Sequence, residues 1–402
     1  MTPSLPIYSK QQLDQYFDHI QLPSSHRIFD IHAPQISSEE TLRYLALLQK
    51  LTLVTVPFEN LSIHYSESHN VDIDPEALFN KIVGRGIREA QADKTTSAKS
   101  TLRRRKGGRG GYCMENNCFF GTILRSLGFD IYSVGARVYG AGSYNGWSHM
   151  VNLVTIGQQK YQVDIGFGGG GPPHPMPLLD SNPATNSRMT AGAQVEYPYL
   201  SSPTTKSTAK IRTVHRLLDD PNCSPQVKSR SEVMARGEKV DSERSQLMWV
   251  YEVKHEEDGE WQPNYAFTET EFLPQDFEMM NFYTSKSPRI FFTFKIVMVR
   301  YLLEGDDGSC FGEDDHAQNG NETSGELDWE GKLDKQLVEK NIVGQIILND
   351  AVVKRRIGTR TETLEELKTE DDRCKALEKW FGIRLTSGER RGIRGMVTEL
   401  SR

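Results

Sequence analysis

Three residues of this chain could together perform nucleophilic acyl chemistry. Cys113 stands in the string Arg109-Gly110-Gly111-Tyr112-Cys113-Met114-Glu115-Asn116-Asn117, at the head of an expected helix. A thiol there meets unpaired N–H groups and the positive end of the helix dipole, both of which favour thiolate. The glycines before it let backbone or substrate approach closely. A free cysteine is more often a buried packing residue, and Cys118, five residues on in the helix body, is read that way. A thiol nucleophile also needs a base and a group that orients the base. His149 heads the apolar run Ser148-His149-Met150-Val151-Asn152-Leu153-Val154, and Asp164 lies inside the next, Val163-Asp164-Ile165-Gly166-Phe167. An ionisable residue inside an apolar strand is costly unless paired. A buried structural His–Asp pair is the plainer alternative. The order Cys, His, Asp and the glycines Gly168 to Gly171 right after the acid favour catalysis. Geometry resists: a tight turn at Gly157-Gln158 gives a hairpin register that pairs His149 near Phe167. A bulge or another strand partner is then needed to bring Asp164 to His149.

The elements that must position these residues fall in two blocks. Ser9 with Gln12, and Ser37 with Glu40, are capping boxes ahead of apolar residues at helical spacing. Asp74-Pro75 predicts an N-cap and first-turn proline, and the Cys113 helix is expected to run to a Gly128 stop. Strands rich in Val, Ile and Tyr are expected over 131–139, 149–156, 160–167, 249–253 and 291–303. Residues 364–382 have apolar residues at helical spacing and read as a C-terminal helix. Helices, then strands, then a mixed end predict an α+β fold.

The chain has 402 residues, 37% hydrophobic and 25% charged, with a net charge of −6. An acidic balance argues against a nucleic-acid binder, since neutralising phosphates needs clustered Lys and Arg. The N-terminal residues lack a basic-then-apolar leader. The most apolar run, 290–303, holds Lys295 and Arg300 and is too short to span a membrane, so no membrane partner is expected. Five cysteines with no C-x-x-C argue against disulfides and zinc. Reduced thiols in a cytoplasmic, monomeric, metal-free protein are the expectation. The charge is unevenly placed: residues 87–108 carry +5, residues 304–342 carry −9, and the rest carries −2. Both segments are expected as solvated loops.

Five strings in order carry a resemblance. They are Val56-Pro57-Phe58-Glu59-Asn60-Leu61, the Arg109–Asn117 string, Ser148–Val154, Val163–Gly171, and Asp276–Phe282 followed by Ser287-Pro288-Arg289-Ile290-Phe291-Phe292-Thr293. Over roughly residues 10–300 the chain resembles the arylamine N-acetyltransferase family, in a fungal-type form. The resemblance implies a helical bundle (1–128) holding the cysteine, a central β-barrel (129–255) holding His and Asp, and a C-terminal α/β lid (256–402), around a cysteine-protease-like Cys-His-Asp core. It implies ping-pong transfer of an acetyl, propionyl or malonyl group from acyl-CoA. The group passes through a Cys113 thioester to an arylamine, hydrazine or arylhydroxylamine. His149 would be the base and Asp164 its orienting group, with the backbone N–H groups of Tyr112 and Cys113 at the oxyanion. Phe167, Gly168, Ser287 and Phe291 fall at substrate-binding positions, and Arg289 is a candidate cation for a malonyl carboxylate. Glu59 is expected in a structural hydrogen bond. Gly168 to Gly171 stand where some relatives have larger residues, which predicts a wider mouth. A transglutaminase- or papain-like hydrolase shares the triad order, and a CoA-binding relative without activity is the third reading. Residues 87–108 separate Gly84-Arg85-Gly86 from Arg109-Gly110-Gly111, where the family runs straight through. They are an insertion whose charge attracts CoA phosphates, or an unspliced intron that transcript sequencing would reveal.

Overall fold

The computed structural model describes residues 5–87, 108–179, 196–200, 207–214, 217, 247–310 and 337–400. Residues 88–107 of the basic insertion, 311–336 of the acidic segment, and Cys223 lie outside the described residues.

Local sequence sets the helix ends as expected. In α1 (Lys10–His19), Ser9 and Gln12 cap reciprocally, and Leu13, Tyr16 and Phe17 turn inward. In α2 (Ser38–Thr55), Ser37 and Glu40 do the same, burying Leu45 and Leu48. A short α3 (Leu61–His64) precedes α4 (Pro75–Phe79), where the Asp74 carboxylate accepts from Ala77 N at 3.0 Å. The central helix α5 (Cys113–Ser126) is buried along nearly all its length, and Gly128, at φ +92°, follows its last turn.

Two antiparallel sheets carry the rest. The larger has eight strands in the order β5-β4-β3-β2-β9-β8-β7-β6. Its core is β2 (Asp130–Gly140), β3 (Ser143–Ile156), β4 (Gln159–Val163) and β9 (Gln262–Glu271). The outer strands are β5 (Met176–Pro177), β6 (Tyr197–Pro198), β7 (Thr208–Val214) and β8 (Met248–Lys254). β5 comes back against β7, so the sheet curls. Because β9 pairs with both β2 and β8, this sheet continues past the boundary expected at residue 255. The second sheet has the order β1-β10-β11-β12-β13. It joins β1 (Phe58–Glu59) to β10 (Val297–Leu303), β11 (Ile342–Asn349), β12 (Val352–Ile357) and β13 (Arg360–Glu366).

Three expectations about element ends are corrected. The strand expected over 160–167 ends at Val163, where its ladder with β3 stops. The strand expected over 291–303 begins only at Val297, because Phe291–Thr293 form a 3₁₀ turn. The helix expected over 364–382 begins after Thr369, whose hydroxyl accepts from Asp372 N. Residues before it are drawn into β13 by pairing with β12. That helix is α7 (Glu370–Phe381), and it packs on the second sheet through Leu377 and Phe381. Between β9 and β10 lies α6 (Pro274–Lys286), and α8 (Ser387–Gly392) is the last helix among the described residues.

Candidate active site

The α5 N-terminus is built by close backbone approach. A Cβ on Gly110 would lie 1.7 Å from the Pro57 carbonyl oxygen, so no side chain fits there. Glu59 N donates to the Gly111 carbonyl at 2.9 Å, which ties the glycine turn to β1. Buried charges brace the turn from below. Arg109 Nε donates to Glu59 Oε1 at 2.8 Å, and Lys81 lies 2.6 Å from Glu115 and 3.4 Å from Glu59. Glu389, in α8, accepts from Arg109 and from Arg85 at 2.9 and 2.6 Å. Burial alone would raise the Glu59 carboxyl, but Arg109 and Lys81 overcome it and hold it at about 2.

Cys113, His149 and Asp164 are buried at 4%, 1% and 1% exposure. His149 Nε2 and Asp164 Oδ2 are 2.7 Å apart. The register is the plain two-residue hairpin, with Asn152 opposite Val163 and no bulge between β3 and β4. Continued by three residues, it sets His149 opposite Gly166. Asp164, two residues away and on the same face, meets the imidazole diagonally, a reach that long polar side chains have. Because β4 ends at Val163, the Asp164 backbone is also free of the ladder. The irregularity lies on the other side of β3, where the register against β2 shifts between Ala136, opposite His149, and Arg137, opposite Trp147.

Three further donors fix the carboxylate. Oδ1 accepts from Asn117 Nδ2 and Gly166 N, both at 2.8 Å, and Oδ2 accepts from Tyr265 OH at 2.8 Å. Burial pushes this carboxyl up. The His149 charge and the bonds from His149, Asn117 and Gly166 outweigh it, and the net direction is down. Asn117 sits four residues after Cys113, on the same helix face. Its Oδ1 accepts from Ile165 N at 2.9 Å and its Nδ2 donates to the Met150 carbonyl at 2.6 Å. One side chain thus fastens α5 to both strands. Sequence reasoning missed it, although its spacing from Cys113 was a usable signal. Tyr265, on β9, carried no local signal.

Gly166 lets α5 approach: a Cβ there would lie 2.8 Å from both Cα and O of Cys113. Cys113 Sγ donates to the Ser148 carbonyl at 3.6 Å, one residue before His149. Burial and the Asp164 charge push the thiol well up, while the N–H groups of Met114, Met150 and Cys113 pull it down. A thiolate here therefore needs an imidazolium beside it. The expected oxyanion role of Tyr112 N is corrected: that N–H donates to Glu115 Oε2 at 3.1 Å and is spent on the helix cap.

The Phe167 ring stands edge-on to the imidazole at 5.1 Å and lies 4.8 Å from Tyr265. Gly168, at φ +78°, starts a loop whose carbonyls are held. Those of residues 168 and 171 accept from Tyr301 OH, that of 169 from Gln345 and Tyr199, and that of 170 from Asn264. The glycine loop is thus pinned and half-buried. Ser287, Arg289 and Phe291 lie together after α6, and their link to the thiol runs through Phe292. That buried ring is 5.6 Å from Tyr112, while Phe291 and Arg289 face outward. Among the described residues no cluster of His, Cys, Asp and Glu could hold a metal, and no helix is long and apolar enough to cross a membrane.

The N-acetyltransferase family model matches residues 40–86 and 93–194. The chain is 30% identical to the N-malonyltransferase FDB2 of Fusarium pseudograminearum over 407 residues, which cover 96% of this chain and 93% of that protein. It is 26% identical to the arylamine N-acetyltransferase of Escherichia coli over 66% of this chain and 68% of that one. Among solved structures, the arylamine N-acetyltransferase from Mycobacterium abscessus matches with TM-score 0.59 and 18% identity, covering 97% and 98% of the two chains. The Mycobacterium marinum enzyme in complex with CoA matches at 0.57 and 20%, covering 96% and 98%.

Proposed function

The chain belongs to the arylamine N-acetyltransferase family, and from that premise we propose that it moves an acyl group from acyl-CoA to an aromatic amine through a thioester on Cys113. The observation that carries this reading is the fourfold-held Asp164 carboxylate 2.7 Å from His149 Nε2, with Cys113 Sγ against the Ser148 carbonyl. Asp164 takes Nε2, so proton exchange with the thiol falls to Nδ1. His149 accepts the thiol proton, and the thiolate–imidazolium pair is stabilised by the nearby carboxylate. The thiolate attacks the acyl-CoA carbonyl, and the Cys113 N–H, one of the unpaired amides of the first helical turn, faces the developing oxyanion. CoA leaves as the thiol, taking the imidazolium proton. The amine then attacks the thioester, gives its proton to His149, and the Cys113 sulfur departs.

Among acetyl, propionyl and malonyl donors, the relatives from Fusarium pseudograminearum and Gibberella moniliformis named N-malonyltransferases favour malonyl-CoA. Detoxification of aromatic amines and a cytoplasmic location are the matching biological expectation. The relatives named as transferases favour transfer over the hydrolase reading. The test is intact-protein mass spectrometry after exposure to each acyl-CoA. One acyl group should appear on wild type, be removed by an added aniline, and be absent in Cys113→Ser. An unmodified wild type with all three donors would refute the reading.

A further inference from the structure

A carboxylate from late in the chain reaches the turn that carries the nucleophile. Glu389 stands in α8, 280 residues from Arg109. Its Oε1 accepts from Arg85 Nη1 at 2.6 Å and from Arg109 Nη1 at 2.9 Å. Its Oε2 accepts from Arg85 Nη2 at 3.1 Å. Arg85 also donates to the Arg384 carbonyl, just before α8. The two arginines flank residues 86–108, so one side chain holds the chain on both sides of that segment. Burial would raise the Glu389 carboxyl, but the bonds and charges of Arg85 and Arg109 outweigh it, and the net direction is down. Glu389 is thus an ionised acceptor shared by two guanidinium groups, a strong form of hydrogen bond.

The carboxylate has little freedom to move. Thr386 N donates to its Oε2 at 2.8 Å and Glu389 N donates to Thr386 Oγ1 at 3.2 Å, a capping box at the start of α8. The helix itself is seated closely: a Cβ on Gly392 would lie 2.7 Å from both N and O of Ser66. From Glu389 a line of buried ionic contacts runs to the nucleophile. Arg109 grips Glu59 through Nε at 2.8 Å and Nη2 at 3.2 Å. Lys81 joins Glu59 to Glu115, and Glu115 Oε2 accepts from Tyr112 N, the residue before Cys113. The backbone gives a second, shorter path. Gly110 and Gly111 separate Arg109 from Tyr112, and neither has room for a Cβ, so this stretch has little slack.

We propose that Glu389 is a positioning residue for the nucleophile, acting through Arg109 to hold the Cys113 turn where its thiol meets the His149 ring. The inference rests on the assignment of Cys113 as the nucleophile in the reading above. Glu389 touches no reacting atom. Without it Arg109 keeps Glu59, so the turn stays folded, but the guanidinium loses its anchor on α8. A misplacement of about 1 Å at a nucleophile costs about 10²-fold in rate, so even a fraction of that shift is measurable.

The experiment separates reach, charge and stability. Glu389→Asp keeps the charge and draws the carboxylate back by one methylene, while Glu389→Gln keeps the reach and removes the charge. Thr386→Ala loses the cap hydroxyl but keeps the backbone N–H that steadies Oε2, so it controls for lost stability alone. Single-turnover acylation and alkylation of Cys113 by iodoacetamide, read by peptide mapping, are measured well below each melting temperature. Glu389→Asp should be acylated roughly tenfold more slowly, with KM for acyl-CoA within about twofold of wild type, and its alkylation should slow as well. Glu389→Gln should slow in both reactions. Thr386→Ala should melt earlier yet keep both rates within about twofold. Unchanged rates in Glu389→Asp overturn the proposal. So does faster alkylation in Glu389→Gln, which is what loss of a negative charge alone does to a thiol. So does an equal slowing in Thr386→Ala, which marks plain loss of stability. If Glu389→Asp does not fold, the alkylation rate of Glu389→Gln decides by its direction. If wild type takes no acyl group, the acyltransferase reading fails, and the alkylation rates still decide the role of Glu389.

Discussion

Replacing Asp164 by asparagine removes one charge and almost no volume, and the structure dictates how the amide must sit. Oδ1 faces two obligate donors, Asn117 Nδ2 and Gly166 N, both at 2.8 Å. An NH2 placed there would oppose the Gly166 N–H, which cannot turn away, so the amide oxygen takes this side. The NH2 then faces His149 Nε2 and Tyr265 OH. It can only donate to Nε2, which forces the ring proton onto Nδ1, the nitrogen that must accept the thiol proton. Wrong tautomer and lost charge together should lower kcat/KM for acylation by about 10³–10⁴-fold, or 4–5.5 kcal/mol. Stability should fall only by about 1–3 kcal/mol, because most of the bonding survives. Burial keeps the thiol high, but the Asp164 charge is the second cause raising it. The variant should therefore recover part of its rate toward alkaline pH, where the thiol ionises unaided. Single-turnover acylation against pH measures both effects. Activity within threefold of wild type at neutral pH would refute the assignment of Asp164 as the group that sets the tautomer.

Three other expectations follow from the same contacts. Glu59→Gln leaves Arg109 and Lys81 short of a buried partner and should cost about 3–5 kcal/mol in urea unfolding. In wild type, Glu59 is depressed from 4.5 to about 2. Its contribution of about 3 kcal/mol should be complete above the ordinary carboxyl range and lost as pH falls toward about 2. Glu115, raised by burial, works in the opposite sense, so the acid transition should be shallower in Glu59→Gln, and an identical slope would count against this network. Gly166→Ala should push α5 away from Asp164 and slow acylation at least tenfold, with an overpacking cost of about 1–3 kcal/mol; a fully active, fully stable alanine variant would contradict the 2.8 Å approach. Asn60→Ala removes the side-chain partner of the Lys295 carbonyl and the Val297 N–H, while the Phe292 carbonyl keeps His64 Nε2, and should cost about 1–3 kcal/mol by thermal melt.

Local physics made the helix starts readable. Ser9, Ser37 and Asp74 each announce a helix by accepting the N–H of its third residue, and that signal needs no tertiary information. The β3–β4 hairpin was legible too, since Gly157-Gln158 alone fixes its register. What stayed hidden was a diagonal. Strand pairing predicts which residues lie opposite each other, while His149 and Asp164 meet because Asp164 leaves the ladder and points back along it. The hidden partners were those contributed from afar: Tyr265 lies 101 residues from Asp164, and Glu389 lies 280 from Arg109. Residues 364–366 misled for a related reason, since their helical spacing yields to the open edge of β12 and to the cap set by Thr369. The Tyr112 N–H was misplaced because Glu115, three residues on, competes for it.

The glycine run after Asp164 joins these observations. Length and composition alone make four glycines look like slack, but each has a packing reason to be small. A Cβ on Gly170 or Gly171 would sit 3.1 Å from the Phe167 side chain, and one on Gly169 would sit 3.3 Å from Gln345. Tyr301 and Gln345 reach the loop from β10 and β11, whereas Asn264 reaches it from β9 and Tyr199 from beside β6. The loop is therefore gripped from both sheets at once, a few residues after Asp164. With Asn117 gripping the same corner from α5, helix and both sheets meet at this acid. The three parts of the fold are registered to one another through its backbone, and their relative position sets where the carboxylate, and hence the His149 ring, stands. The glycines at 168 to 171 are therefore what lets this loop be held from both sheets at once.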